Sequence, residues 1–232
     1  MIQQRLLSDP GSRRVSGPFD DVRNGIQRIR ITEGCPNRCP YCHEPEEQVK
    51  YPVPPITRRK VQVLDMNITA RSDAAEIIEH LGLQRVDGRV VEYELVCGVD
   101  YRYLTQQVAD AMHAARFVRP RLAWDWSYSE QGFVKKAIWA LKRAGYRPED
   151  IMVFVLCNWK IPFQENLRKL DLLKVWNVKV GDCYFDGQVA PNIVPVHWTS
   201  QQITDFRKRA RKHNQLVLFK IDPQETIKIE EK

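Results

Sequence analysis

Hydrophobic residues recur along this chain with a long period. Short runs rich in β-branched and aromatic residues begin about every 30 residues, near positions 27, 61, 91, 121, 151 and 178. A period of this size suits one strand followed by one helix. The six runs therefore predict six repeats of a strand and its connection.

The segments between these runs carry apolar residues with helical spacing, at i, i+3, i+4 and i+7 or a close variant. The five faces are Ala74, Ile77, Ile78 and Leu81; Val108, Ala111, Met112 and Ala115; Val134, Ala137, Ile138 and Leu141; Phe163, Leu167, Leu170 and Leu173; and Ile203, Phe206 and Ala210. Residues that favour helix ends lie at the boundaries of these predicted helices. They are Ser72, Thr105 and Ser129 at helix starts, Thr199 with Gln202 as a capping box, and Gly82 and Gly145 past helix ends. Alternating strands and helices predict an α/β fold with parallel strands, either a doubly wound sheet or an open barrel.

No linker divides the chain. Residues 1–26 form a short N-terminal extension, residues 27–213 the repeat, and residues 214–232 a C-terminal strand or tail. The run LVLFKID at 216–222 is the candidate for a seventh strand. The first crossover, residues 43–60, is rich in proline and charge, which predicts a loop with at most a short helix.

Polar residues follow each predicted strand. In both α/β architectures, ligands bind at the carboxyl ends of the strands. At any one of these ends, a polar residue is also expected simply because the strand leaves the core there. The candidates are Cys35; Asp65 and Asn67; Asp100 and Arg102; Asp125 and Ser127; Asn158 and Lys160; and Asp182 and Asp186.

Composition places the chain among ordinary soluble globular proteins, with 43% hydrophobic and 28% charged residues in 232. No apolar run reaches the roughly 18 residues of a membrane helix, and the N-terminus lacks the apolar core of a secretory signal. We therefore expect a cytoplasmic protein without membrane contact, whose cysteines stay reduced. The net charge is +7, with basic runs at 58–60 and 207–213. These runs indicate either an anionic partner or a solvated helix face.

Three of the six cysteines form a C-x3-C-x2-C motif directly after the first strand, at Cys35, Cys39 and Cys42. Thiolates are soft ligands that suit zinc or iron–sulfur clusters. A structural zinc ion would need a fourth ligand, which His43 could provide. Three thiolates also suit a 4Fe-4S cluster with one iron left open to another ligand, although four cysteines are usual.

The stretch GCPNRCPYC, placed after a first strand at the head of about six β/α units, resembles the radical S-adenosylmethionine (radical SAM) enzymes. The spacing of the three cysteines is the most specific feature of that superfamily. Tyr41 also fits, since an aromatic residue usually precedes the last cysteine. The resemblance covers roughly residues 27–213, and the form is a minimal, single-domain one.

The resemblance implies an open partial TIM-type barrel of about six (β/α) units with its cofactors at the carboxyl-end mouth. Cys35, Cys39 and Cys42 would hold three irons of a 4Fe-4S cluster, and S-adenosyl-L-methionine would chelate the fourth. An electron from a flavodoxin- or ferredoxin-like donor would cleave the cofactor to methionine and a 5′-deoxyadenosyl radical. That radical would abstract hydrogen from the substrate.

The other cofactor-binding positions of the superfamily match this chain less well. After the second strand, a glycine-glycine-glutamate turn usually binds the amino group of the cofactor, whereas this chain has Asp65, Met66 and Asn67 there. Arg102 is a candidate partner for the cofactor carboxylate. Asp125 and Ser127 are candidates for the ribose hydroxyls. For Asp65 and Asp125, a role in a local cap or turn is an equally good interpretation.

The remaining cysteines, Cys97, Cys157 and Cys183, show no cluster spacing and are interpreted as buried thiols, with an auxiliary cluster as the alternative. Trp126 and Trp159 are predicted near the mouth, where rings could stack on bases. A nucleotide or nucleic acid is therefore the favoured substrate class. The competing hypothesis is a zinc-dependent nucleic-acid-binding protein using Cys35, Cys39, Cys42 and His43.

Overall fold

The computed structural model describes residues 17–42, 44–158, 160–185 and 198–220. Within these residues the chain forms twelve short strands and five α-helices. The strands are β1 Phe19–Arg23, β2 Ile26–Arg30, β3 Thr32–Glu33, β4 Val49–Lys50, β5 Lys60–Val63, β6 Arg85–Val86, β7 Arg89–Val90, β8 Glu92–Leu95, β9 Val99–Asp100, β10 Arg121–Trp124, β11 Met152–Cys157 and β12 Lys179–Tyr184. The helices are α1 Ala74–Gly82, α2 Gln106–Ala114, α3 Gln131–Ala144, α4 Phe163–Val175 and α5 Ser200–Phe219.

The main strands form two four-stranded sheets, ordered β1-β2-β5-β8 and β9-β10-β11-β12. Apart from the antiparallel hairpin of β1 and β2, every pairing in them is parallel. The third predicted strand is divided into β8 and β9, and Gly98 lies between them with φ +92°. Tyr93 of β8 also makes an isolated parallel bridge to Phe117. The prediction of an α/β fold with parallel strands is confirmed.

All five predicted helices are present. Thr105 caps α2 by accepting a hydrogen bond from the backbone N–H of Val108, and Thr199 forms the predicted capping box with Gln202. Gly145 ends α3 with φ +109°, a conformation that favours glycine. The first crossover contains no helix among residues 44–59.

Three predicted capping positions are wrong. Ser72 does not begin α1, because the N-cap is Asp73, and the hydroxyl of Ser72 accepts a hydrogen bond from Lys50 instead. Ser129 lies inside a single 3₁₀ turn that precedes α3, and Ser127 caps that turn. Gly82 is the last residue of α1 and not the residue after it.

The predicted strand at 216–222 is also wrong over its described part, because α5 continues to Phe219. Val217 extends the buried stripe of Phe206, Ala210 and His213 with helical spacing, and all four are at most 4% exposed. The apolar run therefore belongs to the helix, which ends where Lys220 adopts a left-handed conformation.

The core lies between the sheets and the helices. Tyr93 stacks on Phe117 with ring centroids 5.1 Å apart, and Trp124 stacks on Trp176 at 5.8 Å. Trp124 is fully buried, so it belongs to the core and not to the aromatic surface of a binding site. In the described part of the chain no helix has the length and apolar character needed to cross a bilayer.

Two of the parallel strands, β2 and β12, have partners on the side away from their parallel neighbour. The second edge of β2 is hydrogen-bonded to β1, which carries the charged residues Asp20, Asp21 and Arg23. At β12, the side-chain amide of Asn214 accepts a hydrogen bond from the N–H of Val180 at 2.8 Å and donates one to its carbonyl at 2.7 Å. The amide thus pairs with Val180 as a neighbouring strand would.

Candidate functional site

The three cysteines lie on a loop that closes on itself directly after β3. Gly34 has φ +84°, and a Cβ at this position would lie 2.0 Å from the carbonyl oxygen of Glu47. The N–H of Cys35 donates to the carbonyl of Pro45 at 2.8 Å. Only glycine can occupy position 34 without displacing the returning chain.

Short turns then bend the cysteine-bearing segment. The N–H of Cys39 donates to the carbonyl of Asn37 at 3.0 Å, and the N–H of Cys42 donates to the carbonyl of Cys39 at 2.9 Å. These turns keep all three thiols on the wall of a single cleft.

The same cleft contains the carboxyl ends of three parallel strands. Met66 and Asn67 follow β5, the segment Cys97–Arg102 includes β9, and Asp125 and Trp126 follow β10. The structure therefore brings together six of the predicted site residues with the three thiols: Tyr41, Asn67, Asp100, Arg102, Asp125 and Trp126.

Asn67 is the residue that approaches the first thiol. Its Nδ2 lies 3.3 Å from Sγ of Cys35, and its Oδ1 accepts a hydrogen bond from Thr69 at 3.0 Å. Asn67 is 3% exposed, so both contacts are shielded from water.

Asn37, between the first two cysteines, is held at both ends of its amide. Its Nδ2 donates to Asp100, and its Oδ1 accepts a hydrogen bond from the phenol of Tyr103 at 3.0 Å. Asp100 also forms an ion pair with Arg102 at 2.7 Å. Sequence reasoning missed Asn37 and Tyr103, because their roles depend on contacts between distant segments.

Tyr41 ties the loop to the end of β10. Its phenol donates to Oδ2 of Asp125 at 2.9 Å, and its ring lies 5.8 Å from that of Trp126. Burial raises the pKa of Asp125 to about 6, and the hydrogen bond from Tyr41 opposes that shift. Burial also raises the pKa of Tyr41, so the phenol stays protonated and remains a donor.

Burial raises the pKa of the thiols of Cys39 and Cys42. A bound cation would reverse this preference, because a coordinating thiol is deprotonated. Among the described residues no three His, Cys, Asp or Glu side chains are arranged to hold a metal ion. The donor types nevertheless fit an iron–sulfur cluster: three thiols on one wall, with the amide of Asn67 and the N–H of Glu44 directed at sulfur.

Two predicted cofactor contacts lie outside the cleft. Asp65 is 1% exposed and accepts a hydrogen bond from the backbone N–H of Ile31 at 2.9 Å, so it ties two strands together. Ser127 is exposed and caps the 3₁₀ turn before α3.

The candidates in or after the last two strands, Asn158, Lys160 and Asp182, are also absent from the cleft lining. Asp182 pairs with Arg207 of α5 at 3.3 Å. Cys157 is buried beside Asn166, as expected for a plain buried thiol, and Cys97 lines the cleft. Burial raises the pKa of Cys97 to about 12. The candidates His43, Trp159 and Asp186 lie outside the described residues.

Comparison with known proteins gives a likeness of fold. No known protein family and no curated protein matches the chain by sequence. Solved structures of similar fold include the radical S-adenosylmethionine methyltransferase TsrM from Kitasatospora setae, with cobalamin and a 4Fe-4S cluster bound. The TM-score is 0.55 at 10% sequence identity, over 68% of this chain and 36% of TsrM. Most of this chain thus shares an α/β fold with part of a radical SAM enzyme.

Proposed function

We propose that this protein is a radical SAM enzyme. The observation that carries the proposal is that Cys35, Cys39 and Cys42 line the same cleft as residues at the carboxyl ends of β5, β9 and β10. The spacing of the cysteines and the similarity of fold to TsrM support it independently of each other.

In this proposal the three thiolates hold a 4Fe-4S cluster, and S-adenosyl-L-methionine binds beside it. With one electron from an external donor, this pair would supply the chemistry that cleaves the sulfonium and yields a radical able to abstract hydrogen from the substrate. Arg102 would provide positive charge for the cofactor carboxylate. Asp125, held by Tyr41, would accept hydrogen bonds from hydroxyl groups. The walls of the cleft would shield the reaction from water.

We further propose that the two sheets are parts of one open partial TIM-type barrel. The parallel strands follow each other in chain order, β2, β5, β8 with β9, β10, β11 and β12. The bridge from Tyr93 to Phe117 supports continuity across the break between β8 and β9.

A nucleotide or nucleic acid is the proposed substrate class. The cleft offers Trp126 as a ring and Arg102 as a cation. Bases stack on aromatic rings, with roughly 1–3 kcal/mol per stacked base in single-strand binders. The proposed electron donor is a small flavodoxin- or ferredoxin-like protein.

The test is anaerobic reconstitution with iron and sulfide. We expect a brown protein with about four irons per chain, which releases 5′-deoxyadenosine slowly when dithionite and S-adenosyl-L-methionine are added. A colourless protein that binds one zinc ion would favour the zinc-dependent alternative instead. A reducible cluster that yields no 5′-deoxyadenosine would limit the cluster to structure or electron transfer.

A further inference from the structure

The amide of Asn67 is directed at a thiol and not at the open space of the cleft. Its Nδ2 lies 3.3 Å from Sγ of Cys35, and the residue is 3% exposed. An amide N–H buried beside sulfur has no water to bond instead. This contact therefore persists wherever the loop keeps its described conformation.

The NH₂ end of the amide faces the sulfur in the described conformation. Thr69 donates its hydroxyl hydrogen to Oδ1 at 3.0 Å, which leaves the NH₂ group for Cys35. Gln48 donates to the backbone carbonyl of Asn67 at 3.2 Å, and Ala70 donates to the same carbonyl at 3.3 Å. Side chain and backbone of Asn67 are thus both held.

From this geometry we infer that Asn67 is a positioning residue that raises the reduction potential of the cluster. The inference rests on the proposed function, because it requires a cluster on Cys35. Adding an electron makes the sulfur ligands more negative, and a donor hydrogen bond to sulfur stabilises that state. Hydrogen bonds to sulfur are one of the factors that set iron–sulfur potentials.

Asn67 is the side chain that contacts Cys35, so its substitution tests the effect at this thiol. Tyr41 and Arg102 form side-chain hydrogen bonds with Cys39 instead. The N–H of Glu44 lies 3.5 Å from Sγ of Cys42, but it is a backbone group that no substitution removes simply. The resemblance to radical SAM enzymes placed Asn67 in a turn that contacts the amino group of the cofactor. The contact with Cys35 indicates a different role, an effect on the reduction potential of the cluster that does not require bound S-adenosyl-L-methionine.

The experiment compares Asn67→Leu with Asn166→Leu. Leucine is close to asparagine in size and has no donor. Asn166 is a matched control: it is fully buried, its amide donates to the carbonyl of Leu156 at 2.9 Å, and it lies 3.8 Å from the sulfur of Cys157. The measurement is a potentiometric titration of each reconstituted protein without S-adenosyl-L-methionine, followed by electron paramagnetic resonance.

We expect Asn67→Leu to retain its iron and to become harder to reduce, by about tenfold in the reduction equilibrium, or about 59 mV for one electron. Asn166→Leu should leave the potential unchanged. An Asn67→Leu potential equal to that of the unmodified protein overturns the inference. If Asn67→Leu binds no iron, the potential of Thr69→Val is measured instead, because this variant removes the hydrogen bond that holds the amide of Asn67. A smaller decrease in the reduction potential supports the inference. An unchanged potential overturns it. Failure of the unmodified protein to bind iron would overturn the proposed function itself.

Discussion

The phenol of Tyr41 donates a 2.9 Å hydrogen bond to the carboxylate of Asp125, a residue 84 positions further along the chain. This bond joins the cysteine loop to the end of β10. It also provides a partner for a carboxylate that burial would otherwise leave without one. The loop is therefore held to the sheet by its own side chains, independently of any metal.

Tyr41→Phe should loosen that attachment. Removing the donor leaves Asp125 without this partner, which should lower the free energy of unfolding by about 1–3 kcal/mol. Urea denaturation measures the loss, and iron content after reconstitution should also fall. Tyr146→Phe is the control, because it removes a comparable bond to the carbonyl of Phe117 outside the cleft. It should cost stability and leave iron content unchanged. Equal iron contents in the two variants would contradict this role for Tyr41.

Changing Cys35, Cys39 or Cys42 to Ala should each remove most bound iron, because each thiolate is proposed to hold one iron. Iron and sulfide analysis of the reconstituted variants measures this. Cys97→Ala is the most demanding control, since Cys97 lines the same cleft, and it should retain full iron. Full iron and full cofactor cleavage in Cys35→Ala would show that the assignment of ligands is wrong.

Arg102→Gln should weaken the binding of S-adenosyl-L-methionine about tenfold, because it removes the positive charge proposed to face the cofactor carboxylate. Iron content should change little. Equilibrium dialysis against the labelled cofactor gives the affinity. Arg119→Gln is a suitable control, because Arg119 pairs with Glu94 and is absent from the cleft lining. Loss of iron in Arg102→Gln alone would instead make Arg102 a structural support of Cys39.

Stability should depend on pH through His213. The ring is 2% exposed, its Nε2 lies 2.7 Å from the carbonyl oxygen of Val178, and burial lowers its pKa. The unfolded chain takes up a proton near its usual pKa of about 6.5. The folded chain takes it up only at lower pH, so stability contributed by the neutral ring is lost as pH falls through that interval.

Urea denaturation between about pH 5 and pH 8 tests this, with His213→Gln for comparison. The stability advantage of the unmodified protein should shrink as pH falls, by at most about 1.4 kcal/mol per pH unit. The difference between the two proteins isolates His213, because Asp65 and Asp125, whose pKa values burial raises to about 6, titrate in both. A difference that is constant with pH would show that the ring does not titrate in this way.

The basic run at 207–213 lies on α5, where Lys208 and Arg211 are exposed. If they bind phosphates, Lys208→Gln/Arg211→Gln should weaken binding to mixed-sequence RNA oligomers and reduce the salt slope by about 0.7 for each phosphate that the protein no longer neutralises. Lys135→Gln/Lys136→Gln removes the same charge from the exposed face of α3 and should have a smaller effect. Equal effects, or no binding of the unmodified protein at low salt, would contradict a nucleic-acid interface on α5.

The sequence predicted the repeat well because both of its signals are local. Helical spacing and strand-forming runs depend on residues a few positions apart, and they located all five helices and all six parallel strands of the repeat. The error at 216–222 has a local cause as well. A short apolar run suits either element, and only the buried stripe ending at Val217 shows that it continues a helix.

The site was less predictable, because its contacts join distant segments. The pairing of Asn37 with Asp100 spans 63 positions, and no periodicity indicates it. Asp65 shows the same limit. Its place after the second strand suggested a cofactor contact, whereas in the structure it is 1% exposed, accepts a hydrogen bond from the N–H of Ile31 and is absent from the cleft lining. Position at a strand end therefore selects candidates, and side-chain direction decides among them.

The side chain of Asn214 has a consequence for assembly. Because its amide pairs with both backbone groups of Val180, and β1 pairs with the outer side of β2, an incoming extended peptide could pair with β2, or with β12 at Val180, only by displacing a partner that the chain already provides. Exposed, unsatisfied strands recruit other chains into ordered aggregates. We therefore expect a redox partner or a second copy of this protein to dock through complementary side chains. Substitutions on the surface could then change which partner binds without altering the sheets.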